Sequence, residues 1–79
     1  MYVIVGTKSC SACSSCEELL KEYNRNYIKQ DLDELEPIRK LAWTKFMNEE
    51  LDTNRVPQVF HYVGGFEELK RKVFSEEYQ

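Results

Sequence analysis

Residues 1–5, Met1-Tyr2-Val3-Ile4-Val5, form a continuous apolar run with β-branched side chains. That pattern predicts a strand buried on both faces. Gly6 to Ser9 read as a loop. From Ser11 to Tyr23 the period changes: Cys13, Cys16, Leu19, Leu20 and Tyr23 recur at helical spacing, which predicts a helix with one apolar stripe. Asn24-Arg25-Asn26 ends it, and Tyr27 to Leu32 read as a second strand. A second helix begins between Leu35 and Pro37, since proline is tolerated in a first turn. Asp31, Asp33, Glu34 and Glu36 suit the positive end of that helix. Its apolar face is expected to be Leu35, Ile38, Leu41, Ala42, Phe46, Met47 and Leu51, and Asp52-Thr53-Asn54 closes it. Gln58-Val59-Phe60 and Tyr62-Val63 read as third and fourth strands. Gly64-Gly65 opens a third helix with Phe66, Leu69, Val73 and Phe74 on one face, and residues 75–79 are expected to fray.

The order is β-α-β-α-β-β-α. Strands alternating with helices suggest parallel pairing through right-handed crossovers. The last two strands lie too close for anything but an antiparallel hairpin. Only His61-Tyr62 lies between Phe60 and Val63, and neither residue favours the positive φ of a tight turn. The expectation is one α/β domain over residues 1–79, a four-stranded mixed sheet flanked by three helices.

Composition narrows the function. Aromatic residues make up 13% of the 79, which weighs against disorder. The formal net charge of −3 weighs against a nucleic-acid binder, which shows a basic face. No apolar run approaches the roughly 18 residues of a membrane span. The N-terminus lacks the basic region and apolar core of a signal peptide, so a reducing cytosol is the expected compartment and a monomer the expected state. Structural disulfides are rare there, so clustered cysteines lean towards redox catalysis or metal binding.

All three cysteines lie in Cys10-Ser11-Ala12-Cys13-Ser14-Ser15-Cys16. Cys10 falls at the N-cap or first turn of the first helix, where free N–H groups and the helix dipole stabilise negative charge. Lys8 adds a cation two residues upstream. Both favour the thiolate, which is the nucleophile. Cys13 is one turn further on, so its sulfur can reach a mixed disulfide at Cys10 and resolve it. Cys16 also makes a CxxC with Cys13, but it sits deeper in the helix, on the stripe with Leu19, Leu20 and Tyr23. It is expected to be a buried packing residue, with a secondary redox role as the alternative. A metal reading stands beside these. C-x2-C-x2-C resembles the start of an iron–sulfur run, but the fourth Cys and its Pro are missing. The lone His61 fits no zinc spacing.

The stretch Val3-Ile4-Val5-Gly6-Thr7-Lys8-Ser9-Cys10-Ser11-Ala12-Cys13, running on to Leu19-Leu20, resembles the opening of a glutaredoxin. Val56-Pro57-Gln58-Val59-Phe60 resembles the family's Thr-Val-Pro-x-Val-Phe, whose proline is cis and lies beside the active disulfide. Gly64-Gly65-Phe66-Glu67-Glu68-Leu69 is similar to the Gly-Gly-x-Asp-Asp-Leu that opens its last helix. The short length and Gly-Gly-Phe-Glu are most similar to small viral (tailed-phage) glutaredoxins. The resemblance implies a thioredoxin-like fold, glutathione as reductant, Cys10 as nucleophile and Cys13 as resolving thiol. It implies that Lys8 meets a glutathione carboxylate, that Val56 pairs with the glutathione backbone and that Pro57 shapes the groove. The amides at Gly65 and Phe66 would hold the other carboxylate. Glu67 stands for the Asp that pairs with the glutamyl amine. Clients would be cytosolic proteins with disulfides, ribonucleotide reductase among them by analogy.

Three departures bear on this. Ala12 replaces a Tyr, removing an aromatic wall. Ser11 replaces a Pro at a position that tunes redox potential. Arg55 replaces a Thr and adds a cation that can pair with a glutathione carboxylate or an acidic client. Two alternatives remain: a similar protein recharged by thioredoxin reductase, and an iron–sulfur carrier using Cys10 and bound glutathione.

Overall fold

The computed structural model describes residues 1–77. Its elements are β1 (Tyr2–Gly6), α1 (Ser11–Glu22), β2 (Tyr27–Asp31), α2 (Pro37–Glu50), β3 (Gln58–His61) and α3 (Phe66–Glu77). The sheet has the order β2-β1-β3. β1 and β2 run parallel, with Ile4 opposite Lys29 and Gly6 opposite Asp31. α1 makes the crossover between them.

β3 runs antiparallel to β1, pairing Tyr2 with His61 and Val5 with Gln58. This corrects the parallel expectation for the third strand. Residues 51–57 form neither helix nor strand. They carry the chain back to the Gly6 end of β1 before β3 starts. The sheet is mixed, as expected, but it has three strands among the described residues, not four. The expected turn at His61-Tyr62 does not form. His61 belongs to β3 and stacks on Tyr2 at 4.3 Å. The Tyr62 N–H then donates to the Met1 carbonyl at 2.8 Å, so Tyr62 prolongs the same ladder. The chain bends away only at Gly64, whose φ of 128° is a region L side chains rarely adopt.

Side chains alternate across β1, so its two faces build two packing layers. On one face Val5, Leu32 and Met47 form a buried cluster, with Val3, Leu35, Trp43, Val56 and Phe60 against it. On the other face Ile4 and Gly6 meet α1, which brings Cys13 down onto them. The apolar face of α2 is rotated from the one expected. Met47 is 2% exposed, while Ile38 and Leu41 are 81% and 67% exposed. Trp43, one turn before Met47, takes their place and meets Phe46 and Phe60 ring to ring.

Other stripes are more open than their spacing suggests. Leu19 and Tyr23 on α1 and Phe66, Leu69, Val73 and Phe74 on α3 remain exposed. Cys16 is therefore half-buried rather than buried, since its stripe neighbours are left uncovered. Residues 75–77, expected to fray, continue α3. The rest of that expectation, Tyr78 and Gln79, lies outside the described residues.

Met47→Ala empties the most buried position of α2 and is expected to cost about 2–5 kcal/mol in urea unfolding. Ile38→Ala, on the exposed side, is expected to change stability by less than about 0.5 kcal/mol. The apolar face read from spacing, which held both residues, makes both substitutions costly.

Candidate active site

Thr7 to Cys10 link the end of β1 to the start of α1. The turn is held by the Cys10 N–H, which donates to the Thr7 carbonyl at 3.4 Å. Cys10 is the N-cap of α1, with extended φ and ψ, and its Sγ accepts the Cys13 N–H at 3.1 Å. A Ser or Asp side chain usually fills this capping role; here a thiol does. The sulfur thus sits at the end of α1 that presents free amides, where the sequence places it.

Cys13 is fully buried. It lies against Gly6 so closely that a Cβ on Gly6 would overlap its Sγ. Burial, and then the hydrogen bond to the Cys10 thiol, push the Cys13 thiol above its ordinary range; a Thr7 backbone hydrogen bond and the Lys29 cation pull the other way. All three cysteines are free thiols, and Cys10 Sγ is held to Cys13 through the Cys13 backbone N–H.

The remaining expected residues divide. Lys8 is in the same loop, but its ammonium binds Glu34 at 2.8 Å and its N–H donates to Asp33 at 3.3 Å. Glu34, aided by Asp31 and Asp33, raises the Lys8 pKa. The Val56–Pro57 peptide is cis. Val56 packs against the Val5 cluster. The register places Pro57 one step beyond the Val5–Gln58 pair, across from Gly6 and so at the cysteine end of the sheet. Arg55 is exposed, with its backbone fixed by Thr53 Oγ1 and the Gln58 side chain. Gly65, Phe66 and Glu67 sit at the start of α3. The Gly65 N–H already donates to Glu68 Oε2 at 3.0 Å, and Phe66 is 70% exposed. Among the described residues no hydrogen bond or ion pair ties these three to the cysteine loop.

Sequence reasoning passed over Gly6, Lys29, Glu34 and Glu68. The signal for Lys29 was present: strand alternation puts it on the face of Tyr27, which meets α1 through Glu17. The partners of Glu34 and Glu68 depend on loop paths that no periodicity encodes. A groove of about 530 Å³, lined by Trp43, Phe46 and Phe60 among others, belongs to the α2 side and is lined by no cysteine. Among the described residues no cluster of three or more His, Cys, Asp or Glu is arranged to hold a metal ion. Nor is any helix long and apolar enough to cross a membrane.

Gly6→Ala is expected to push Cys13 off the sheet, costing about 1–3 kcal/mol by urea unfolding and slowing formation of a Cys10–Cys13 disulfide. The raised Cys13 pKa also sets a sign. Its stabilising effect on the fold is complete below the ordinary thiol range and is lost as pH rises through the raised folded value. Urea unfolding of the reduced protein should show alkaline loss of stability, weakened in Cys13→Ala.

No family model matches the sequence, and no curated protein matches it. Solved structures do. A mutated buckwheat glutaredoxin is 19% identical, with 95% of this chain and 69% of that one covered at a TM-score of 0.66. A buckwheat glutaredoxin–glutathione complex is 20% identical over the same shares, again at 0.66. A glutaredoxin of Archaeoglobus fulgidus is 23% identical, with 91% and 82% covered at 0.67. The superpositions span nearly the whole chain and give it the thioredoxin-like fold of the glutaredoxins.

Proposed function

We propose that the protein is a thiol–disulfide oxidoreductase of the glutaredoxin family, with Cys10 as nucleophile and Cys13 as resolving thiol. The observation that carries this reading is the placement of Cys10 Sγ at the α1 N-cap, hydrogen-bonded to Cys13 at 3.1 Å. The Cys10 thiolate attacks a disulfide R–S–S–R′. The Cys10–S–R bond forms, the S–S bond breaks, and R′–S⁻ leaves and takes a proton from water. Cys13, having lost its proton, attacks Cys10 Sγ; the Cys10–Cys13 disulfide forms and R–S⁻ leaves. Two electrons pass from the dithiol to the substrate. One glutathione thiolate then attacks Cys10 Sγ, forming a Cys10–glutathione mixed disulfide as Cys13 leaves as a thiolate and takes up a proton; a second glutathione thiolate attacks the glutathione sulfur, glutathione disulfide forms and the Cys10 thiolate leaves, which restores the dithiol.

Glutathione as the reductant rests on the sequence resemblance and on the similar structure that is a glutathione complex. Lys8, Arg55, Val56, Pro57, Gly65, Phe66 and Glu67 are the proposed contacts. Two of them face competition within the chain, Lys8 from Glu34 and the Gly65 amide from Glu68. That favours weak glutathione binding and keeps recharging by thioredoxin reductase as a second reading. Disulfide-bearing proteins of a reducing compartment, ribonucleotide reductase among them, are the proposed clients.

The test is reduction of a small glutathione mixed disulfide, coupled to glutathione, glutathione reductase and NADPH. Cys10→Ser is expected to abolish turnover, while Cys13→Ser and Cys16→Ser retain it. Glu34→Gln is expected to lower KM for the mixed disulfide about two- to fivefold, the worth of one exposed ion pair. An inert wild type that accepts electrons from thioredoxin reductase overturns the glutathione assignment.

A further inference from the structure

Lys29 is a lysine in the middle of β2, half-buried, and it lies on the sheet face that α1 covers. The register sets it beside Ile4, and strand alternation aligns it with Tyr27 and Asp31 on that face. Its Nζ donates to the Thr7 carbonyl at 3.4 Å, the same oxygen that accepts the Cys10 N–H. Its Cε comes within 3.9 Å of the point where a Gly6 Cβ would stand, the point Cys13 Sγ crowds. A lysine removed from water usually takes a carboxylate partner. Here Glu17 binds the Tyr27 hydroxyl and Asp31 binds the Asp33 N–H. Among the described residues no carboxylate is ion-paired with Lys29. Lys29 is therefore a cation without an ion-paired carboxylate among the described residues, and Cys13 is within reach of its charge.

We propose that Lys29 is a positioning residue for the resolving step, holding the Thr7 carbonyl and placing its ammonium beside Cys13 where that sulfur becomes a thiolate. The inference rests on the oxidoreductase reading above and adds a residue to it. When Cys13 attacks Cys10 Sγ, its thiolate must first form in a buried site. When glutathione later attacks Cys10, the Cys13–Cys10 bond breaks and Cys13 leaves as a thiolate. The cation favours both passages, since an opposite charge nearby favours the ionised form. Cys10 is the other titratable group facing Cys13, and it opposes ionisation.

The experiment uses Cys16→Ser protein carrying a thionitrobenzoate mixed disulfide at Cys10, whose coloured release reports ring closure by Cys13. Lys29→Met and Lys29→Gln are expected to slow release roughly threefold at neutral pH, a modest effect because the lysine is partly solvated. Lys29→Arg should retain the rate. At alkaline pH, where Cys13 is fully ionised in each protein, the neutral variants should match or exceed wild type, because a thiol of higher pKa is the stronger nucleophile. In a Cys10→Ser/Cys16→Ser background, where Cys13 is the sole thiol, its thiolate absorbance should titrate at higher pH in Lys29→Met. A uniform slowing at every pH with the Cys13 titration unmoved would overturn the inference and leave the oxidoreductase reading standing. A wild type that never releases thionitrobenzoate sinks that reading and the inference with it.

Discussion

The seat of Cys13 Sγ on Gly6 governs the rest of the site. A buried sulfur touching a backbone with no Cβ fixes how closely α1 approaches β1. That distance decides where the first turn of α1 begins, and so where Cys10 stands as its cap. A larger residue at Gly6 would lift the helix, and the Cys13 thiol with it, off the sheet. The same burial makes Cys13 reluctant to ionise, in keeping with the roles proposed above, Cys10 as nucleophile and Cys13 as resolving thiol. Packing and division of labour thus have one cause.

The sheet places a second layer of control around that contact. Val3 and Val5 face α2 and supply most of the small apolar core with Leu32 and Met47. Ile4 and Gly6 lie on the other face, where Cys13 packs on Gly6. A domain of this size has little core to spare, so β1 serves both layers through simple alternation. β2 follows the same rule: Leu32 just beyond it joins the core, and Lys29 goes to the thiol side. The loop acids after β2 act on the outside, where Glu34 holds Lys8.

Much of this was legible in the chain. The strand–CxxC–helix order, the N-cap position of Cys10, Pro37 at the start of α2 and the close of α1 at Asn24 each follow from local chemistry, and local chemistry is what a sequence encodes directly. The misreadings share a different origin. The face of α2 depended on Trp43 outcompeting Ile38 and Leu41 for Phe60, a tertiary choice that spacing alone does not make. That no fourth strand forms among the described residues goes with Tyr62 finding the Met1 carbonyl on the neighbouring strand edge. The direction of β3 depended on an irregular link. Within the site, Cys10 and Cys13 come together as expected. Lys8 and the Gly65 amide instead meet carboxylates supplied by the chain itself.

The central claim is that Cys10 and Cys13, not Cys13 and Cys16, are the working pair. Peptide mapping by mass spectrometry after mild oxidation of the folded protein tests it most directly. The account predicts one intramolecular disulfide, Cys10 to Cys13, with Cys16 recovered as a free thiol. A Cys13–Cys16 bridge, or three free thiols under conditions that oxidise a small dithiol, would contradict it.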